Sequence, residues 1–323
     1  MKFETEKLLG TLKLLTEPLE DCQEMNIEVF GNYQTFFWDV AELGEFNIWK
    51  LLDSKKFIEP THPETAFKSW LKEEQTHSIA PHNNYSIDQP EPKKLLDETT
   101  KAQRTENYQA LWQILQESLQ ILEGFTIRLS TSVYKKQDCF SGLFGKTADN
   151  NWIVICPTAP ERIGFPYWIS HQECNREIIG LDKKLQTKNT PIFQIEDILK
   201  ELIPLKLAVC YGADYGYTYD YQLFCGVSAS KEAALTQAFI KANFLQLKRF
   251  KHFRLVLSDD YGYPADFPKK IKRSLNKFFQ QNFTDVWLYR VGLYDIDYIY
   301  IIGQVADADW LGVKIYRSYQ YNP

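Results

Sequence analysis

The sequence predicts an α/β chain of the α+β type, built as two tandem halves with mainly antiparallel sheets. Three observations carry this. Helical apolar stripes are followed by short period-two runs between turn residues, the pattern of strands joined by hairpins. A helix followed by three strands occurs once around residues 108–158 and again around 266–316. Both endings share one turn signature, Gly145-Lys-Thr-Ala-Asp-Asn-Asn-Trp152 and Gly303-Gln-Val-Ala-Asp-Ala-Asp-Trp310, 158 positions apart. In each, Gly closes a strand, Ala-Asp with Asn or Asp makes the turn, and Trp anchors the returning strand.

In the first half, Leu8, Leu12, Leu15 and Leu19 recur at helical spacing, with Pro18 near the helix end. Ile27-Glu-Val-Phe30 reads as a strand, Gly31-Asn32 as a turn and Tyr33–Val40 as the returning strand. Asn47–Leu52 fits a strand or a short helix. Residues 73–105 are polar and carry Pro81, Pro90 and Pro92, so they read as a flexible, solvated insertion. Tyr108, Leu111, Trp112, Leu115, Leu119 and Leu122 then form one helical stripe, stopped by Gly124. Strands follow at Phe125–Leu129, Cys139–Lys146 and Trp152–Cys156.

The second half repeats the plan. Ile195–Ile203 reads as a helix, and Leu205–Tyr211 with Tyr219–Cys225 as a hairpin. Ser230 caps a helix over Lys231–Leu247. Phe253–Leu257 is a strand. Asp266 and Pro268 open a helix with Ile271, Leu275, Phe278 and Phe279 on one face. Strands at Val286–Val291, Asp297–Gln304 and Trp310–Tyr316 close the chain. The expected division is a domain at 1–158, a packed linker at 159–191 and a second domain at 192–323; 323 residues favour two domains over one.

Composition narrows the function. A net charge of −5 lacks the positive balance of a phosphate-tracking nucleic-acid binder, so no direct nucleic-acid partner is expected. No apolar run is long enough to cross a membrane, and Met1–Glu6 carries no signal core, so a cytoplasmic protein with no membrane partner is expected. Six scattered cysteines without a CxxC pair fit reduced thiols better than a disulfide framework. The five histidines show no metal-ligand spacing, and Gly-x-Ser-x-Gly, phosphate-loop and HExxH motifs are missing. The expectation is a non-enzyme with no catalytic residues, metal or cofactor.

Two segments suit protein contact. One is Tyr211-Gly-Ala-Asp-Tyr-Gly-Tyr-Thr-Tyr-Asp-Tyr221, with Asp214, Tyr215, Tyr217 and Asp220 as candidate contacts. The other is Asp259-Asp-Tyr-Gly-Tyr-Pro-Ala-Asp266, with Asp259, Asp260 and Tyr261. Tyrosine gives large contact area at low entropy cost, and glycine lets the backbone adapt. The competing readings are a plain hairpin turn and an acid/base pair at Asp259-Asp260.

Asn282-Phe-Thr-Asp-Val-Trp-Leu-Tyr-Arg-Val-Gly292, Asp295-Ile-Asp-Tyr-Ile-Tyr-Ile-Ile-Gly303 and Ala306-Asp-Ala-Asp-Trp-Leu-Gly-Val-Lys-Ile315 resemble the C-terminal half of the nuclease A inhibitor family. Leu111–Leu122, Phe125–Leu129 and Gly145–Thr158 are similar but weaker, and the N-terminal helix, Ile27–Phe30 and the strand with Trp38 resemble the family's beginning. The resemblance implies an α-β-α sandwich that plugs the active site of a Mg²⁺-dependent, sugar-non-specific nuclease, a basic protein partner. In the family, acidic side chains before the first strand and the C-terminal carboxylate approach the nuclease metal. The corresponding loop is Glu20-Asp21-Cys22-Gln23-Glu24, whose Glu20, Asp21 and Glu24 then stand in for substrate phosphate. The chain departs from the pattern in its longer ending, Arg317–Pro323, and in being double. The alternative is a scaffold or regulatory protein that kept the fold and binds another protein.

Overall fold

The computed structural model describes residues 3–20, 32–76, 96–129, 139–160, 169–173, 190–211, 215–253, 269–293, 296–305 and 308–318. Chain order begins with α1 (Phe3–Glu20), β1 (Asn32–Trp38), α2 (Val40–Leu43), α3 (Ile48–Ser54), β2 (Ile58–Thr61) and α4 (Pro63–Thr76). Next come α5 (Glu98–Ser118), β3 (Leu119–Arg128), β4 (Cys139–Thr147), β5 (Trp152–Pro157) and β6 (Ile169–Glu173). The rest are α6 (Thr190–Glu201), β7 (Leu205–Tyr211), β8 (Tyr215–Tyr221), β9 (Leu223–Ser228), α7 (Lys231–Lys241), β10 (Leu245–Phe253), α8 (Lys269–Asn282), β11 (Val286–Leu293), β12 (Ile296–Gln304) and β13 (Trp310–Ser318). Every ladder among them is antiparallel. The α+β class is therefore as the sequence predicts.

The chain forms two compact units, and neither is a continuous half. One takes the chain through Lys50, β6, and the stretch from Leu245 through β13. Its sheet runs β1-β13-β12-β11-β10-β6. The amphipathic α1 and α8 bury Leu12, Leu275, Phe278 and Phe279 against Leu288, Ile299, Ile301, Val313 and Ile315 of the sheet. The other unit takes Leu51 through β5, then α6 to Phe244. Its sheet runs β2-β3-β4-β5-β9, with β7-β8 as a separate hairpin. Here Phe67, Trp70, Tyr108, Leu111, Leu115 and Ile195 cover Leu143, Ile153 and Ile155. These boundaries differ from the expected 1–158 and 192–323. The cause is strand pairing between distant segments: β1 pairs with β13, and β5 with β9.

The described residues at the two signature turns make matching hydrogen bonds. Thr147 N–H donates to Asn151 O at 2.9 Å and Asn150 N–H to Thr147 O at 3.0 Å; Val305 N–H donates to Asp309 O at 2.9 Å and Ala308 N–H to Val305 O at 3.0 Å. The matching residues Asn150 and Ala308 are both left-handed, with φ of 63° and 66°. Asparagine tolerates this conformation, whereas alanine lacks the local side-chain hydrogen bonding that eases it. Ala308→Asn should therefore stabilise the fold by about 0.5–1 kcal/mol, seen as a higher midpoint in urea unfolding with an unchanged slope.

Three expectations need correction. The insertion expected at 73–105 is helical at both ends, since α4 runs to Thr76 and α5 starts at Glu98, and it holds the buried Glu74 and Arg104. The helix expected to continue to Leu122 stops at Ser118. Leu119 is already extended (φ −105°, ψ 128°), and the chain pairs with β4, so tertiary pairing overrides local helical spacing. Gly124 is thus mid-strand, where a Cβ would meet Thr61 O of the neighbouring strand at 2.8 Å. The helix expected over Lys231–Leu247 ends at Lys241. Ser230 caps its start, accepting from Ala233 N–H at 3.2 Å. Its end is a left-handed Asn243 (φ 60°) with Phe244 N–H donating to Phe239 O and Asn243 N–H to Ile240 O, the double bond of a Schellman stop. Leu245–Leu247 then enter β10, so the strand expected at Phe253–Leu257 begins eight residues earlier. The strand expected at Ile27–Phe30 lies outside the described residues.

Candidate protein-binding surfaces

The tyrosine-rich segment expected to be a loop is largely ladder. β7 and β8 pair from Leu205↔Tyr221 to Tyr211↔Tyr215, which places Tyr215 and Tyr217 in β8, and Cys225 belongs to β9 instead. Alternation puts Tyr219 and Tyr221 on one face, ring centroids 6.3 Å apart. Tyr221 is buried there and its hydroxyl donates to Trp70 O at 3.3 Å. Burial, then the charges of Tyr108, Glu73 and Glu74, push that phenol well above the usual tyrosine range. Asp220, on the opposite face, is exposed and lies 3.7 Å from Lys206 across the ladder. Part of this tyrosine set is therefore core, and the acid is a solvated strand partner. Asp214, Asp21, Glu24, Asp259, Asp260 and Tyr261 lie outside the described residues. Glu20 is the last residue of α1.

A surface that the sequence did not suggest lies on β10–β13. Leu8, Asn282, Asp285, Trp287, Gln304 and Trp310 are among the residues lining a depression of about 490 Å³. Arg249 spans from it, with Nη1 3.0 Å from Asp285 Oδ1 and the guanidinium 5.2 Å from the Trp287 ring centroid. Trp310 is backed by Phe46, centroids 5.2 Å apart, and Phe46 also touches Trp38 and Tyr289. Half-buried tryptophans beside an acid–arginine pair make a rigid, amphipathic contact patch of the kind that dominates protein interfaces. The alternation Trp287-Leu-Tyr289 along β11 was the available signal. Its odd members face away from Leu288, which is in the helix-covered core.

Among the described residues no group of three or more His, Cys, Asp or Glu is arranged to hold a metal ion. The Cys225 thiol is pushed up to about 12, by burial first, and burial likewise raises Cys156. Neither is a nucleophile near neutral pH. Of the three buried carboxylates among the described residues, Glu74 and Asp297 are held by arginine and Asp309 accepts from Val40 N–H. Among the described residues no helix is long and apolar enough to cross a membrane.

Residues 230–316 match the family model described as nuclease A inhibitor-like protein. The match covers α7, β10, α8 and β11–β13, so the likeness read from 282–316 is borne out in the C-terminal part of the chain. No curated protein and no solved structure matches the chain.

Proposed function

We propose that this chain is an inhibitor that binds a basic, Mg²⁺-dependent, sugar-non-specific nuclease and blocks its active site by protein–protein contact. The observation that carries the reading is the family match over residues 230–316, which holds the strands and helix that frame the Trp287–Trp310 surface. The net charge of −5 favours a basic partner over an acidic one. Glu20, Asp21 and Glu24, together with the segments at Asp214–Asp220 and Asp259–Tyr261, supply further contacts to that partner. The acidic residues act as phosphate mimics.

The test is a titration of the purified full chain into such a nuclease, with release of acid-soluble nucleotides as the readout. Activity should fall in proportion to added protein until one equivalent is present. A nuclease that stays fully active in excess protein overturns the reading. Should that happen, the surface serves another protein, and capture from the protein's own cytosol without added nuclease identifies it. The second reading draws on the boundary of the match, which leaves the first half of the chain outside it.

A further inference from the structure

The two sheets have one wiring. Read from one end, β10-β11-β12-β13-β1 and β2-β3-β4-β5-β9 have the same order and the same antiparallel sense. The last two core strands align through Trp152 and Trp310, 158 positions apart, and through the matching turn hydrogen bonds described above. With those aligned, the registers Trp38↔Trp310 and Trp152↔Ser228 make Trp38 and Ser228 equivalent, 190 positions apart. Helix caps follow at once in both places, Asp39 before α2 and Ser230 before α7, 191 positions apart.

Chain continuity contradicts the simple pairing of neighbours. β1 is followed in sequence by β2, yet β1 belongs to the β13 sheet and β2 to the β3 sheet. β9 is followed by β10, yet β9 belongs to the β5 sheet and β10 to the β11 sheet. The chain changes unit between Lys50 and Leu51, and again between Phe244 and Leu245, 194 positions later. The first of these crossings falls within α3, ahead of β2, and the second at the start of β10, the strand that corresponds to β2; the chain also crosses at 162/163 and returns at 180/181, which puts β6 beside β10. The family match itself runs across the second crossing, with α7 in one unit and β10–β13 in the other.

We infer that the chain is a tandem pair of one domain in which the two copies have reciprocally exchanged their N-terminal segments. The segment α1-β1-α2 of the first copy completes the sheet of the second. The segment α6-β7-β8-β9-α7 of the second copy completes the sheet of the first. Exchange of equivalent elements costs little when the copies are alike, because every contact is replaced by its counterpart. Sequence divergence then fixes the choice. Asp309 Oδ1 accepts from Val40 N–H at 2.8 Å, joining β13 to the chain after β1. By strand register the equivalent of Asp309 in the other sheet is Asn151, and the equivalent of Val40 is Ser230, whose N–H donates to Ser228 Oγ at 3.5 Å instead. Phe46, in the exchanged segment, fills the space between Trp38, Tyr289 and Trp310. A consequence is that neither half of the chain holds a complete unit. The inference is independent of the partner proposed above.

The test uses the full chain with a protease site placed between β6 and α6 and cysteines introduced at positions 34, 314, 158 and 222 (Gln34→Cys, Lys314→Cys, Thr158→Cys, Gln222→Cys). Gln34 and Lys314 are register partners, and Thr158 N–H donates to Gln222 O at 2.8 Å. After oxidation, peptide mapping should find links 34–314 and 158–222, and the nicked protein should run as one band of full-chain mass until reduced. Links 34–158 and 222–314, or two separate bands without reduction, overturn the inference. A band of twice the mass also overturns it, because the exchange would then lie between molecules. The chain carrying only the protease site gives a second readout that needs no cysteine. Its two fragments should co-elute after cleavage and separate only in denaturant; fragments that separate in native buffer while each keeps its strand signal overturn the exchange.

Discussion

Asp297→Ala should cost about 3–5 kcal/mol, because it removes the carboxylate that two buried guanidiniums share. The Asp297 carboxylate lies between two arginines on neighbouring strands. Its Oδ2 accepts from Arg290 Nε at 2.7 Å, its Oδ1 accepts from Arg317 Nε at 2.7 Å, and Arg317 Nη2 also donates to it. All three side chains are at most 3% exposed. Arg290 Nη1 reaches Gln246 Oε1 at 3.2 Å on the next strand, so the cluster ties β10 through β13. Among the described residues Asp297 is the carboxylate that both guanidiniums share, and its removal takes that charge away from two buried cations. Asp297→Asn keeps the volume and one acceptor oxygen and should fall between wild type and alanine. Urea unfolding followed by near-ultraviolet circular dichroism separates these outcomes. An alanine variant within 1 kcal/mol of wild type would show that the cluster contributes nothing net.

This cluster also explains what the C-terminal motif records. In Tyr289-Arg-Val-Gly292 the arginine is the ion-pair partner. The glycine leaves space for the carboxylate: a Cβ at Gly292 would approach the Asp297 Cβ to 3.0 Å. The aspartate of Ile296-Asp-Tyr298 sits opposite both Gly292 and Arg317 in the ladders. A motif built of Arg, Asp and Gly looks like a site in sequence, yet here it is core. Arg128, in β3 of the other sheet, instead meets the exposed Glu59 at 2.9 Å and the Cys139 sulfur at 2.7 Å.

The local elements were legible because their signals are local. Helical spacing gave α1, α5, α6 and α8, alternation gave β1, β4, β5 and β11–β13, and Ser230 gave the start of α7. What failed was long-range. Pairing of β1 with β13 brings together residues nearly the whole chain apart, and no periodicity encodes which of two similar partners a strand chooses. Two similar sheets made a contiguous division the natural expectation. The contact surfaces were legible only as composition. Tyr221, counted within a binding loop, is core, while Trp310, read as a strand anchor, lines the depression at Asp285 together with Trp287.

The second large effect concerns residues that the sequence assigned to solvent. Glu74 and Arg104 lie in a polar, proline-marked stretch, yet the glutamate accepts from Arg104 Nε and Nη2, both at 2.8 Å, and from the Tyr108 hydroxyl at 2.7 Å. Arg104 Nη1 donates to Ile203 O at 2.7 Å, so the network ties α4 and α5 to the residues after α6. Burial acts to lower the Arg104 pKa, but the hydrogen bond and charge of Glu74 overcome it and hold the group above its ordinary value. Glu74→Ala removes the carboxylate that pairs with Arg104 and should destabilise by about 3–5 kcal/mol, with Arg104→Ala similar. The double change Glu74→Leu/Arg104→Met should recover much of that loss, because no charge is left buried without its partner. Recovery in this cycle, measured by chemical unfolding, is the decisive outcome; a double variant as unstable as the sum of the two singles would show that the helices are held by packing alone. The pH arm has a definite sign. Burial first, then the Glu74 charge and hydrogen bond, raise the Tyr108 pKa well above 10. The folded state therefore keeps a proton that the unfolded chain releases. The stabilisation is complete below pH 10 and is lost as pH rises above it, and Tyr108→Phe should flatten that alkaline loss.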